Sequence, residues 1–122
     1  MPRIVHFDLP ADDPKRAQKF YEDVFGWKFE KWNGPMEYWM AKTGDDKQPG
    51  INGGLCKRMP GQAGITNTID VSSVDEYTKK IQKMGGQVIA PKMPILGVGY
   101  FAQCKDTEDN AFGIIQMDPN AK

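Results

Sequence analysis

The alternation of hydrophobic and polar positions predicts the same order of elements twice along the chain. Residues 3–9 (RIVHFDL) have the β-branched and aromatic composition of a strand. A helix follows, with Asp13 as its N-cap, Pro14 as its first residue and Gly26 as its stop. Its apolar positions have helical spacing and predict a single stripe: Ala17, Phe20, Tyr21, Val24 and Phe25. Three strands are then predicted, at 27–32, 36–42 and 51–57.

The second half of the sequence repeats this order. After a Gly/Pro-rich linker at 58–64, residues 65–71 (ITNTIDV) predict a strand. Ser73 and Glu76 have the spacing of a capping box, and Gly85 follows the helix that they begin. The apolar face of that helix is predicted to be Val74, Tyr77, Ile81 and Met84. Three more strands follow in the stretches QVIAP, GYFAQCK and AFGIIQM.

This internal repeat predicts the architecture. The chain is expected to be one α+β domain, 1–122, built from a βαβββ module at 1–57 and a second at 65–118, joined by the linker 58–64. Neither module could bury both its sheet and its helix stripe alone. We therefore expect curled mixed sheets around a shared cavity with the helices outside, and a small ligand in that cavity.

Composition narrows the class of partner. The 122 residues contain 16 basic and 16 acidic side chains, so no net charge would attract nucleic acid or an anionic membrane. No apolar run approaches the roughly 20 residues of a membrane span. Cys56 and Cys104 lack the C-x-x-C spacing and suit reduced thiols, which favours a cytoplasmic protein.

The stretch HFDLPADDPKRAQKFYEDVFGW, residues 6–27, together with the repeat, resembles the vicinal oxygen chelate superfamily. That superfamily includes glyoxalase I, extradiol dioxygenases, epimerases and the bleomycin- and fosfomycin-resistance proteins. The stretches GINGGL, PILGVGYF and NAFGIIQ are most similar to a small glyoxalase-related subgroup. The resemblance covers about Ile4 to Met117 and implies a homodimer.

The resemblance also implies four metal-ligand positions, one on the first and one on the last strand of each module. These positions fall on His6, Gly54, Thr66 and Gly113. Because a bound divalent ion needs about three or four N, O or S donors, one imidazole does not suffice. We therefore predict no cofactor and disfavour a divalent metal. A rebuilt site of His6, Asp8 and Asp70 stays open as an alternative.

His6 is the only histidine, and Asp8 shares its strand face by the alternation of side chains. These two residues are the candidates for acid–base catalysis. Gly54 is expected to enlarge the cavity where relatives have a carboxylate. The residues expected to line the ligand cavity are Trp39, Asn52, Gly54, Thr66, Thr68 and Gly113.

Two functions stay open. The first is a protein of the glyoxalase/bleomycin-resistance kind that binds a small organic molecule and has a degenerate metal site. The second is a lyase, isomerase or dioxygenase-type enzyme that uses His6 in a rebuilt metal site or as an acid–base group. A third hypothesis is a dimeric module that binds no small ligand.

Overall fold

The computed structural model describes residues 1–122 and divides them into two compact units. One unit contains residues His6–Ile65, and the other contains Met1–Val5 with Thr66–Lys122. No helix combines the length and the apolar character needed to cross a membrane. The elements, in chain order, are β1 (Arg3–Ala11), α1 (Pro14–Phe25), β2 (Lys28–Lys31), β3 (Tyr38–Lys42), β4 (Gly53–Lys57), β5 (Thr66–Asp70), α2 (Val74–Lys83), β6 (Gln87–Ile95), β7 (Gly99–Lys105) and β8 (Ala111–Met117).

The first unit is a mixed sheet with α1 on one face. β1 pairs with β4 in parallel, while β3 pairs antiparallel with both β4 and β2. Side chains that alternate along these strands form a core on the helix side: Leu9, Ala11, Trp39 and Leu55, with Ala17, Tyr21 and Trp27 packed against it. The side chains between them along each strand therefore lie on the opposite face of this sheet.

The second unit repeats this arrangement. β5 pairs with β8 in parallel, and β7 pairs antiparallel with both β8 and β6. Its core consists of Val71, Val74, Ala102, Cys104 and Ile114, and Tyr77 and Ile81 of α2 pack against it. The predicted α+β class and the two βαβββ modules are thus confirmed.

The helix ends are formed by the residues that the sequence indicated. Asp13 accepts a hydrogen bond from the Arg16 amide at 3.2 Å, and Gly26 ends α1 in the left-handed conformation with φ 75°. Ser73 accepts from the Glu76 amide at 3.2 Å at the start of α2. Glycine is needed at the end of α1 because a side chain there would be strained.

The predicted apolar stripe of α1 is wrong for three of its five members. Phe20, Val24 and Phe25 are 56%, 56% and 60% exposed, and the buried residue of this helix is Gln18. The helix contacts the sheet through the line that includes Ala17 and Tyr21. The five positions share one broad face, but only one side of that face meets the sheet.

Two connecting segments of the chain are well defined. The segment PKMPILG, which follows the predicted strand QVIAP, is mostly strand as well, because β6 runs to Ile95 and turns directly into β7 at Gly99. The linker 58–64 is an ordered loop built around Arg58. Its guanidinium donates to Asp12 at 2.9 Å and to the Gln62 and Ala63 carbonyls at 3.4 Å.

Candidate functional site

The candidate site lies on the face of the first unit's sheet that is turned away from α1. The register pairs Asp8 with Gly54 between β1 and β4, and Gly54 with Met40 between β4 and β3. By alternation, His6 and Tyr38 are on the same face as Asp8. Three neighbouring strands therefore bring an imidazole, a carboxylate, a phenol and a residue without a side chain to one patch.

Three of these side chains form a closed hydrogen-bonded group, which we call the His6–Asp8–Tyr38 triad. The Tyr38 hydroxyl donates to Asp8 Oδ1 at 2.6 Å. His6 Nε2 lies 2.7 Å from the Tyr38 hydroxyl oxygen and 3.2 Å from Asp8 Oδ1. The His6 and Tyr38 rings are nearly parallel at 19°, and the edge of Trp32 packs on Tyr38 with centroids 5.9 Å apart. The phenol is thus held by contacts on both sides.

The environment keeps Tyr38 protonated. Burial, and then the neighbouring Asp8 carboxylate, raise the pKa of Tyr38 far above its ordinary value. Burial and Asp8 also raise the pKa of the nearby Cys56 thiol. Tyr38 is therefore a hydrogen-bond donor rather than a base, and Cys56 lacks the thiolate character of a nucleophile or a soft metal ligand.

Gly54 does not enlarge a cavity, which corrects the sequence expectation. A Cβ atom built at Gly54 would overlap the hydroxyl and ring of Tyr38. The missing side chain is what allows the phenol to reach Asp8 and His6. Close packing, the alternative interpretation of a glycine inside a strand, is the one that applies here.

Gly113 has the corresponding arrangement in the second unit. A Cβ atom there would meet the ring of Phe101 and, at 3.2 Å, the Thr68 hydroxyl. Thr66 and Thr68 are 7% and 3% exposed, so both are buried. In each unit an aromatic side chain from one strand covers a glycine on the neighbouring strand. The second unit has no ionisable group in this place.

The four family positions do not fit a divalent ion. Only His6 has a metal-binding side chain, and both glycine positions are covered by aromatic rings. No three histidine, cysteine or carboxylate side chains are grouped closely enough to hold a metal ion, so the rebuilt site with Asp70 has no support. Asp70 is exposed at the end of β5. The donor set lacks the three or four ligands that such an ion requires.

Two expected cavity residues of the first unit lie away from the triad. Trp39 is 6% exposed and belongs to the core on the helix side, so it cannot stack a ligand on the triad face. Adjacent strand residues point to opposite faces, and this separates Trp39 from Tyr38. The Asn52 side chain accepts from the Thr43 amide at 3.0 Å and closes the connection between β3 and β4.

A cavity of the first unit is also on the helix side. It measures about 200 Å³ and is lined by residues of β1, α1, β4 and the Arg58 loop, among them Leu9, Tyr21, Leu55 and Ile65. Ligand pockets usually measure roughly 300–1,000 Å³. This cavity is too small for a drug-sized molecule and contains no triad residue.

Tyr38 is the site residue that sequence reasoning missed. It stands in EYWMAK beside Trp39, which was expected in the cavity in its place. Alternation along β3 separates Tyr38 from Trp39, and the glycine on β4, the strand next to that of His6, was the signal that a large neighbour needed room.

Comparison with known proteins agrees with this fold. A family model described as bleomycin resistance protein-like, N-terminal, matches residues 3–44. CFP32 of Mycobacterium bovis, a protein described provisionally as a glyoxylase, is 30% identical over 117 residues, which cover 91% of this chain and 44% of that protein. Residues 3–44 are thus similar to bleomycin-resistance-like proteins, and most of the chain is similar to part of a glyoxylase-like protein.

Solved structures share this fold at low sequence identity. A hypothetical protein from Bacillus halodurans has a TM-score of 0.71 at 14% identity, with 99% of this chain and 98% of that chain covered. Methylmalonyl-CoA epimerase from Mycobacterium tuberculosis has a TM-score of 0.71 at 11% identity, covering 95% and 88%. At such identities the likeness concerns the fold alone. The chain spans less than half the length of CFP32.

Proposed function

We propose that this chain is a small-molecule-binding protein of the glyoxalase/bleomycin-resistance group that works without a metal ion. The observation that carries the proposal is the Tyr38 hydroxyl. It occupies the space left by Gly54 and ties His6 Nε2 and Asp8 Oδ1 into a hydrogen-bonded group. The one histidine of the chain thus already has protein partners. His6 and Asp8 remain 34% and 23% exposed, so a ligand can reach them.

A second candidate function is metal-independent proton transfer by His6. A base oriented by a hydrogen-bonded carboxylate is the usual arrangement for general acid–base catalysis. The 3.2 Å contact between His6 Nε2 and Asp8 Oδ1 favours this candidate. The lyase and isomerase reactions expected from the sequence would use this pair, whereas a dioxygenase would need the metal that the donor set does not fit.

The metal-free part of the proposal is tested by elemental analysis. Protein purified without chelators should contain well under one zinc, nickel, manganese or iron ion per chain. A stoichiometric ion that is lost in His6→Ala would contradict the proposal. Thr43→Ala, which changes only a connection between strands, is the matched control because its folding and metal content should equal those of the parent chain.

The binding part is tested with two probes, one named by the matching family model and one that is the substrate type of glyoxalase I, a member of the resembled superfamily. Bleomycin and the hemithioacetal of methylglyoxal and glutathione would each be titrated against protein with a ¹⁵N-labelled His6 imidazole. Saturable changes in the His6 signals that disappear in Tyr38→Phe support binding at the triad. A library of small fragments would be screened in the same way. If every fragment that binds kept its affinity in both His6→Ala and Tyr38→Phe, the triad would not be the ligand site.

Turnover separates the two candidates. Conversion of the hemithioacetal to a thioester, measured by ultraviolet absorbance, should not exceed the uncatalysed rate for a binding protein. Conversion that persists in chelator and is abolished in His6→Ala would favour the second candidate.

The homodimer expected from the family resemblance belongs to this proposal too, and light scattering after size-exclusion chromatography checks it.

A further inference from the structure

The hydrogen atoms of the triad decide which chemical groups it presents to a ligand. We propose that the triad exposes only hydrogen-bond acceptors, and that its ligand is a nitrogen-centred donor such as an amidinium, ammonium or primary amide group, not a carboxylate or phosphate. This inference rests on the proposed function, because it names the class of molecule that the same site takes.

The argument begins with a count of protons. His6 Nε2, the Tyr38 oxygen and Asp8 Oδ1 lie within 2.6–3.2 Å of one another in all three pairs. With Asp8 as the carboxylate, only two hydrogens can lie between these atoms, one from the phenol and one from the imidazole. Any pair in which neither atom carries a hydrogen would bring two lone pairs into contact, whereas one N–H can be shared by two acceptors.

One distribution of the hydrogens satisfies the geometry. The phenol donates to Asp8 Oδ1 at 2.6 Å, a length typical of an O–H bond to a charged acceptor. The 2.7 Å contact between His6 Nε2 and the Tyr38 oxygen then requires a hydrogen on Nε2. If the phenol donated to Nε2 instead, the Tyr38 oxygen and the Asp8 carboxylate would face each other at 2.6 Å with no proton between them.

The tautomer determines what remains for a ligand. A neutral imidazole that carries its proton on Nε2 has an unprotonated Nδ1, which is an acceptor. Nδ1 and Asp8 Oδ2 have no hydrogen-bond partner in the protein, and the side-chain partners of Asp8 are the neutral His6 and Tyr38. The neighbouring Cys56 thiol stays neutral, as described above. No lysine or arginine is paired with Asp8 to attract an anion.

The energetics favour donors over anions. An N–H group that bonds to a carboxylate gains a charge-assisted hydrogen bond in a partly buried place. A carboxylate or phosphate would meet one carboxylate and one imidazole lone pair, and like charges at short range repel. We therefore expect a cationic N–H donor to bind at least tenfold more tightly than an anion of the same size.

The tautomer is measured directly, because the protein has one histidine and its two imidazole nitrogens give unambiguous NMR signals. The protein is labelled with ¹⁵N-histidine and measured at a pH at which the imidazole is neutral. Nε2 should then carry the proton, and Nδ1 should be unprotonated. Tyr38→Phe should move the population toward a mixture of tautomers. A protonated Nδ1 with a bare Nε2 in the parent chain would overturn the inference.

The ligand class is tested with two probes of equal size, benzamidine and benzoate. Benzamidine should shift the Nδ1 signal saturably, with a dissociation constant at least tenfold lower than that of benzoate. Asp8→Asn should lower the affinity for benzamidine by tenfold or more. Asp12 is a surface carboxylate of the same unit, and Asp12→Asn should leave this affinity unchanged.

The outcomes distinguish this inference from the proposed function. Saturable binding of benzoate in preference to benzamidine at His6 would refute the ligand class and leave a metal-free binding site intact. A failure of benzamidine to shift His6 up to its solubility limit would likewise refute the ligand class. A stoichiometric metal ion on His6 would instead refute the proposed function.

Discussion

The contact between Gly54 and Tyr38 makes a specific prediction for Gly54→Ala. The added methyl group would occupy the position of the Tyr38 hydroxyl, so the phenol must move away from Asp8 and His6. Two hydrogen bonds are then lost together. The neighbouring backbone of β4 remains paired with β1 and β3, so the loss is confined to the triad.

The size of the effect follows from those two bonds. A hydrogen bond to a charged acceptor contributes about 1.5–3 kcal/mol and one between neutral groups about 0.5–1.5 kcal/mol. Replacing glycine by alanine restores roughly 0.4–1 kcal/mol by restricting the unfolded chain. We expect the free energy of unfolding to fall by about 2–3 kcal/mol, which for a chain of this length lowers the melting temperature by about 8–12 °C.

Urea unfolding monitored by tryptophan fluorescence measures this change. The matched control is Gly64→Ala in the same unit, because a Cβ atom at Gly64 meets nothing within 4 Å and its φ is not in the left-handed region. Its stability should stay within about 0.5 kcal/mol of the parent. In a Tyr38→Ala background the cost of Gly54→Ala should nearly disappear, which gives a coupling of about 2 kcal/mol.

Two results would refute this reasoning. One is a Gly54→Ala variant as stable as Gly64→Ala, which would mean that the phenol does not need the space. The other is an equal loss of stability in the Tyr38 and Tyr38→Ala backgrounds, which would place the cost in the backbone of β4.

The remaining predictions concern both units. Gly113→Ala should cost about 1–3 kcal/mol by displacing the Phe101 ring, as measured by the same urea titration; an unchanged midpoint would contradict the packing. Because the pKa of Tyr38 is raised, the folded state holds the phenol proton more tightly than the unfolded state does. The contribution of this proton to the free energy of unfolding is complete below about pH 10 and is lost as the pH rises further. The stability advantage of the parent over Tyr38→Phe should therefore shrink above about pH 10, by up to about 1.4 kcal/mol per pH unit, and a constant advantage would be inconsistent with a buried phenol. Arg58→Ala should lower stability by less than about 1 kcal/mol but speed amide hydrogen exchange in residues 58–64, because Arg58 joins Asp12 to that loop; unchanged exchange would show that the loop is ordered by its backbone alone.

The regular elements were predictable because their signals are local. Both modules, the caps at Asp13 and Ser73 and the stop at Gly26 depend on residues within a few positions of one another, and the structure agrees with them. The exposure of Phe20 and Phe25 was not predictable in this way. Periodicity identifies residues that share a helix face, but it does not give the part of that face that meets the sheet.

The site was predictable only in part, for a related reason. His6 and Asp8 lie two residues apart on one strand, so alternation brings them together without knowledge of the fold. Tyr38 and Gly54 join them through the pairing of three strands, and that register is not written in any short stretch of sequence. A missing side chain is equally consistent with empty space and with a neighbour that fills it, so the interpretation of Gly54 required coordinates.

The ring that covers Gly54 also restricts how this chain can evolve. A single substitution that introduces a glutamate at position 54 would collide with Tyr38. A carboxylate can be accommodated there only after Tyr38 has been replaced by a smaller residue. The order in which the two mutations arise therefore decides whether the folded chain can tolerate them.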